Sequence, residues 1–116
     1  MVQSLIDPSD LESRAAEAEA FLRSIASRHR LMVLCALMDD SLIDGELAVT
    51  DLVRRSGLSH SNLSQHLAKL RDEGLVATRR DGTTIYYRIA SPRVRPILNE
   101  LYRLFCAAGS APNPTE

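Results

Sequence analysis

Cysteine is scarce. Cys35 and Cys106 are the two thiols in 116 residues, far apart in the chain, and no C-x-x-C pair occurs. That pattern excludes a zinc ribbon and a thioredoxin-type motif. In a reducing compartment it also argues against a structural disulfide. Long apolar runs are missing too: nothing approaches the ~18 consecutive apolar residues of a membrane-spanning helix, so no membrane partner is expected. The first residues include Asp7, Asp10 and Glu12 in place of a basic and then apolar leader, so no secretory signal is expected and the cytoplasm is the expected location. The three histidines, His29, His60 and His66, fall on separate faces or within the Leu58–Gly74 stretch, and no metal cluster is expected from them. No metal or cofactor is expected.

What is present is a divided charge. The net charge is −1, which by itself argues against a nucleic-acid partner. From Met1 to Val53, however, ten acids stand against four arginines; from Arg54 to Arg95, eight Arg and one Lys stand against Asp72, Glu73 and Asp81. A −6 half is followed by a +6 block, and a localised positive block is the footprint expected on a phosphate backbone. A chain of 116 residues is one domain with a modest core, and a small helical domain gains further burial by dimerising.

The stretch from Leu58 to Gly74 reads as one helix. Leu63, Leu67 and Leu70 form an apolar stripe, Ser59 is a suitable N-cap and Gly74 a suitable stop. The other face carries His60, Ser61, Ser64, Gln65 and Lys69, with no carboxylate before Asp72. Short groups that donate and accept hydrogen bonds suit the base edges of the DNA major groove. An ordinary solvated helix would look similar, so the neighbouring segments decide.

Upstream, Ser9 and Glu12 make a capping box for a first helix with a stripe at Leu11, Ala15, Ala18, Phe21, Leu22 and Ile25. So long a stripe in so small a domain points to a partner subunit. Ser27 can cap a second helix from Arg28 to about Met38, with Leu31, Leu34, Cys35 and Met38 on one side. Asp39 to Gly45 is an acidic loop. Thr50 can cap a short third helix, Asp51 to Ser56, which Gly57 ends. Two helices joined by a glycine turn, the second polar outside, make a helix-turn-helix.

Downstream, Leu75–Arg80 and Thr83–Ile89 are strand-like around Asp81-Gly82, a strong hairpin signal. Ile85, Tyr87 and Ile89 share one face; Thr84, Tyr86 and Arg88 share the other. With Arg79 and Arg80 flanking the turn, the hairpin suits a wing reaching sugar-phosphate or the minor groove; a plain stabilising hairpin is the alternative. Ser91 and Pro92 open a last helix with Val94, Ile97, Leu98, Leu101, Tyr102 and Phe105 on its apolar face and Cys106 at its end. The expectation is therefore a mainly α fold with a β-hairpin wing (α+β): a dimeric winged helix-turn-helix with five helices. It spans 9–108, between a flexible 1–8 and a disordered tail 109–116.

This order of elements, with R-L-M-V-L-C, L-S-Q-H-L-A-K-L-R-D-E-G-L-V and R-R-D-G-T-T-I-Y-Y-R-I, resembles the ArsR/SmtB family of bacterial winged-helix repressors over about Glu12 to Ala107. The resemblance implies a homodimer joined by its first and last helices, imperfect inverted-repeat operators in double-stranded DNA, and release by an inducer. Carried over, Ser59 to His66 would lie in the major groove with Ser61, Asn62, Ser64 and Gln65 nearest the bases. Arg79, Arg80, Thr83 and Thr84 would belong to the wing. The family's thiolate metal frame, E-L-C-x-C-D-L, reads here Glu46-Leu47-Ala48-Val49-Thr50-Asp51-Leu52, with both thiols absent. Its second metal site uses Asp, His and Glu on the last helix, where this chain has no His and a single Glu, Glu100.

What remains are Cys35, in R-L-M-V-L-C, and Cys106, in L-Y-R-L-F-C. These positions resemble the sulfur-responsive branch of the family, in which two thiols bridge, directly or through added sulfur, and so sense persulfides or oxidants. His29 and Arg28 or Arg30, one to two turns before Cys35, could lower its thiol pKa. The alternative is that both are inert buried residues, since free cysteine is among the most buried types. A thiol enzyme is not expected: catalytic thiols need a poised base and a pocket, and Cys35 lies in an apolar run.

Overall fold

The computed structural model describes residues 7–39 and 41–107. Helix α1 (Pro8–Ile25) and α2 (Arg28–Ala36) precede a short strand β1 (Leu47–Ala48). Then follow α3 (Val49–Ser56), α4 (His60–Asp72), β2 (Val76–Asp81), β3 (Thr84–Ile89) and α5 (Val94–Tyr102), which widens into a π-type segment, Arg103–Ala107. The fold is a winged helix-turn-helix with five helices, as the residue pattern implied. The expectations for 1–6 and for the tail from 109 lie outside the described residues.

The core forms where the helical stripes converge. Leu63, Leu67 and Leu70 of α4 pack with Val33, Leu34 and Leu37 of the α2 region, Leu52 of α3, and Val94 and Leu98 of α5; all are essentially inaccessible. Ser59 caps α4: its Oγ accepts from the Asn62 amide at 3.2 Å. The helix ends through Gly74, with the Leu75 amide donating to the Leu70 carbonyl at 2.9 Å, a closure that satisfies an otherwise unpaired carbonyl. Between α3 and α4, Gly57 takes φ +75°, a backbone state that costs a side-chain-bearing residue, and this sets the helix-turn-helix angle.

Several local expectations are corrected. The cap of α1 is Asp7, which accepts from the Ser9 amide at 3.1 Å with Pro8 in the first turn, so the helix begins before the Ser9 capping box. Helix α3 starts at Val49 with no side-chain cap, because Leu47 and Ala48 are held as a strand up to its first residue. Ser91 accepts from the Arg93 amide at 3.2 Å in a turn that precedes α5 rather than capping it. The hairpin turn is Gly82-Thr83, with Asp81 opposite Thr84. Positive φ falls on Gly82 (+64°) and not on Thr83, the pattern of a turn with glycine in its first central position. The third strand has no counterpart in the residue pattern. β1 lies antiparallel on β3, Leu47 opposite Tyr87 and Ala48 opposite Tyr86, so the sheet order is β1-β3-β2.

Two surfaces stay uncovered. Every residue from Asp7 to Ala20 is exposed, and Leu11 and Leu22 of the α1 stripe are each about half accessible. At the other end Tyr102, Leu104 and Phe105 are exposed, Phe105 by 74%.

Because Leu67 is 1% exposed at the junction of the helices, Leu67→Ala should lower the unfolding free energy by about 2–5 kcal/mol. Urea denaturation at fixed protein concentration measures this; a loss under ~0.5 kcal/mol, the level of a surface change, would show that the site collapses around the gap or is not packed as described.

Candidate nucleic-acid interface and thiol pair

On α4 the leucine stripe turns the remaining positions outward. Ser59, His60, Ser61, Asn62, Ser64, Gln65 and Lys69 are all exposed, so one continuous polar face runs along the helix. The hydroxyl of Ser59 is spent on the cap and lies 3.5 Å from that of Ser61. His66 departs from this face. It is half-buried and meets His29 of α2 edge to face, ring centres 5.5 Å apart, so this histidine of the α4 helix packs toward α2 instead of joining the outward polar face. Burial lowers the His66 pKa, and the positive charges of Arg30 and His29 lower it further.

The wing divides its arginines. Arg79 is committed inside the molecule: its Nε and Nη2 donate to both oxygens of Glu46 at 2.8–3.1 Å, and its guanidinium lies 4.6 Å from the Tyr86 ring centre. Arg79 holds the Glu46 carboxyl below its usual range. Glu46 precedes β1, so this bond ties the wing to the strand that leads into the helix-turn-helix. Arg80 and Thr83 are exposed and Thr84 half-buried. Among the described residues Arg80 makes no ion pair. Thus one arginine of the pair stiffens the wing while the other is free to meet a ligand. The role of Glu46 was not readable from sequence. It lies 33 residues from Arg79, and only pairing of β1 with β3 brings them together.

In the single protomer the two thiols are exposed and lie outside the core, unlike the buried residues of the alternative reading. Cys35 is turned away from the inward face of α2, which is Val33, Leu34 and Leu37. It opens on a cleft of about 450 Å³ shared with Met38, Asp39, Leu98, Asn99 and Tyr102, at the side of α5. Cys106 stands in the π-type segment beyond α5. Partial burial pushes the Cys35 thiol up from its ordinary value, and the charge of Cys106 pushes it further. The cations placed upstream of Cys35 do not activate it. Arg30 instead donates to the Ser24 carbonyl at 3.1 Å, and His29 faces His66.

In the Glu46–Leu52 frame, Thr50 and Asp51 lie in the first turn of α3 and Asp51 pairs with Arg54. Among the described residues no three His, Cys, Asp or Glu side chains gather as metal ligands would, and no helix is long and apolar enough to cross a membrane.

A family described as bacterial regulatory protein, arsR family, matches residues 27–78. The chain is 41% identical to the transcriptional activator HlyU of Vibrio cholerae, over 85% of this chain and 87% of that protein. It is 37% identical to the biofilm growth-associated repressor of Xylella fastidiosa, over 84% and 82%. The solved structure of reduced HlyU from Vibrio cholerae superposes with a TM-score of 0.73 at 41% identity, covering 84% of this chain and 97% of that one. These relatives are transcriptional regulators and not enzymes.

Asp39, beside Cys35, links the end of α2 to α3 through Arg55 at 2.6 Å. Hydrogen bonds from Ser41 and then Arg55 hold its carboxyl down at about 2. The depressed folded value means that this stabilisation is present above the unfolded pKa and lost as pH falls from 3.8 toward about 2. Asp39→Asn should therefore flatten the acid side of the stability curve in that window. Urea midpoints between pH 5 and 2 that fall as steeply in the variant as in the parent would contradict the assignment.

Proposed function

The chain belongs to the arsR family of bacterial regulatory proteins, and from that premise we propose that it is a homodimeric repressor of transcription whose operator affinity is set by thiol chemistry at Cys35 and Cys106. The family makes it a DNA-binding transcriptional regulator. The observation that carries the finer reading is the exposed thiol pair, one sulfur near the end of α2 on a cleft lined by α5 side chains and the other just beyond α5.

The dimer supplies the geometry. The uncovered apolar residues of α1 and of the α5 end are those that a second copy would bury. Two copies of α4 then present their polar faces to successive major grooves about 34–36 Å apart. Ser61, Asn62, Ser64 and Gln65 meet base edges, and His60 and Lys69 flank them. Arg80, Thr83 and Thr84 meet the backbone beside them. Arg79 acts through Glu46 by keeping the wing in place. A repressor of this kind works by occupying the promoter in the cytoplasm.

The thiol step is balanced without a metal. An organic persulfide passes its outer sulfur to one cysteine and leaves as a thiol; attack by the second cysteine forms the disulfide and releases hydrogen sulfide. Peroxide reaches the same product through a sulfenic acid and water. Bridging welds α2 to the end of α5, the helix that the dimer would share. Half-site spacing is strict, so a changed dimer angle costs affinity. One relative, HlyU of Vibrio cholerae, has a solved structure specified as the reduced form, which is in keeping with this reading. The competing reading is DNA binding without sensing, and the upward shift of the Cys35 thiol favours it.

Operator binding by reduced, persulfide-treated and peroxide-treated protein separates the two, with mass spectrometry on the same samples. A Cys35–Cys106 link accompanied by changed affinity, and absent in a Cys35→Ser Cys106→Ser protein, supports sensing; unchanged affinity and no link leave the DNA-only regulator. Arg80→Ala should weaken all sequences and reduce the salt slope by about one unit, while Gln65→Ala should reduce discrimination between operators and random DNA. An unchanged salt slope would remove Arg80 from the phosphate contacts.

A further inference from the structure

Between α1, α2, the end of α4 and the connection from β3 to α5 lies a cavity of about 600 Å³ that shares only Lys69 with the polar face of α4 and has no part in the thiol chemistry. Charges from distant parts of the chain converge on it: Glu17, Arg23, Arg30, Lys69, Glu73 and Arg93. Most are neutralised locally. Arg93 holds Glu17 at 2.7 Å, Arg23 holds Glu19 at 2.7 Å and Lys69 holds Glu73 at 3.2 Å. Arg30 is the exception. Among the described residues no carboxylate lies within ion-pair distance of it; one Nη donates to the Ser24 carbonyl, and Nε is buried with no acceptor. A guanidinium carries five donors, and a buried donor left unpaired is costly. Hydrogen bonds from Ser24 and then Lys69 hold the Glu73 carboxyl down, with a smaller contribution from the Arg30 charge, and burial followed by the Arg30 charge lowers the pKa of the nearby His66. Ala20, Phe21 and Leu75 supply an apolar part of the same wall.

We propose that this cavity binds a small organic monoanion, with its carboxylate head on Arg30 and its apolar body against Phe21 and Leu75. The volume falls in the range of small-molecule sites. The ion pairs fix the charge class: one cation is left uncompensated, and Glu17 and Glu73 repel a dianion. The site joins α1 to the end of α4, so a ligand held there biases the angle between them only by binding one arrangement better. It would thus act as an effector site separate from the two thiols.

The test is an NMR titration of the intact chain with sodium propionate at constant ionic strength. Propionamide serves as the neutral isostere and inorganic phosphate as the multivalent arm. Propionate should give saturable shifts at the Ser24, Arg30, Gly74 and Leu75 amides and raise the midpoint of the His66 titration as it offsets the Arg30 charge. Arg30→Gln should weaken binding by about tenfold or more, whereas Glu73→Gln should tighten it, and loss of fold cannot produce these opposite signs. If Arg30→Gln does not fold, Arg30→Lys, which keeps the charge and loses the guanidinium fork, takes its place and should also weaken binding. Equal shifts with propionamide, tighter binding of phosphate, or an affinity that ignores both substitutions would each overturn the proposal.

Discussion

Everything in this molecule depends on the division of α4 into two faces. Leu63, Leu67 and Leu70 are inaccessible and fix the helix against α2, α3 and α5, so the remaining positions have nowhere to go but outward. Burial of three leucines is a stability matter, yet it decides which side chains a DNA duplex could meet. The cap at Ser59, the left-handed residue Gly57 and the closure at Gly74 set where that face begins and ends.

The wing rests on the same economy of parts. Hairpin β2–β3 is joined on its free side by two residues of β1, and Glu46 reaches from the start of β1 to clasp Arg79. At the head of a frame that in other family members carries thiolate ligands, an ion pair ties the wing to the helix-turn-helix. The pair is exposed on the Arg79 side and nearly closed on the Glu46 side, so it is better placed than a surface salt bridge to hold geometry. The thiols show the opposite arrangement. Both stand outside the leucine core, Cys35 on the side of α2 that faces α5 and Cys106 just beyond α5.

Periodicity made most of the fold legible. The five helices, the hairpin, the polar face of α4 and the inward side of β3 follow from spacings of three to four and of two, because burial acts on every turn and every second strand residue. The caps were legible only where no tertiary contact competed. Ser59 and Ser27 cap as their positions imply, while Thr50 and Ser91 do not, since strand pairing and a preceding turn claim those segments. The hairpin turn moved by one residue because glycine at its first central position satisfies the twist as well as Asp-Gly would.

By itself the sequence determined the class of the molecule: amphipathic spacing, a basic central block and an Arg-flanked hairpin specify a winged helix-turn-helix, and the residues at Ala48 and Thr50 withdraw the thiolate metal frame. Only the tertiary structure decided the partners. Arg79 meets Glu46, His29 meets His66, Cys35 is exposed and senses the charge of Cys106, and the Arg30 Nε is left without an acceptor. The reason is physical. Burial periodicity is written every few residues along the chain, whereas a pairing across 33 or more positions exists only once the chain has folded.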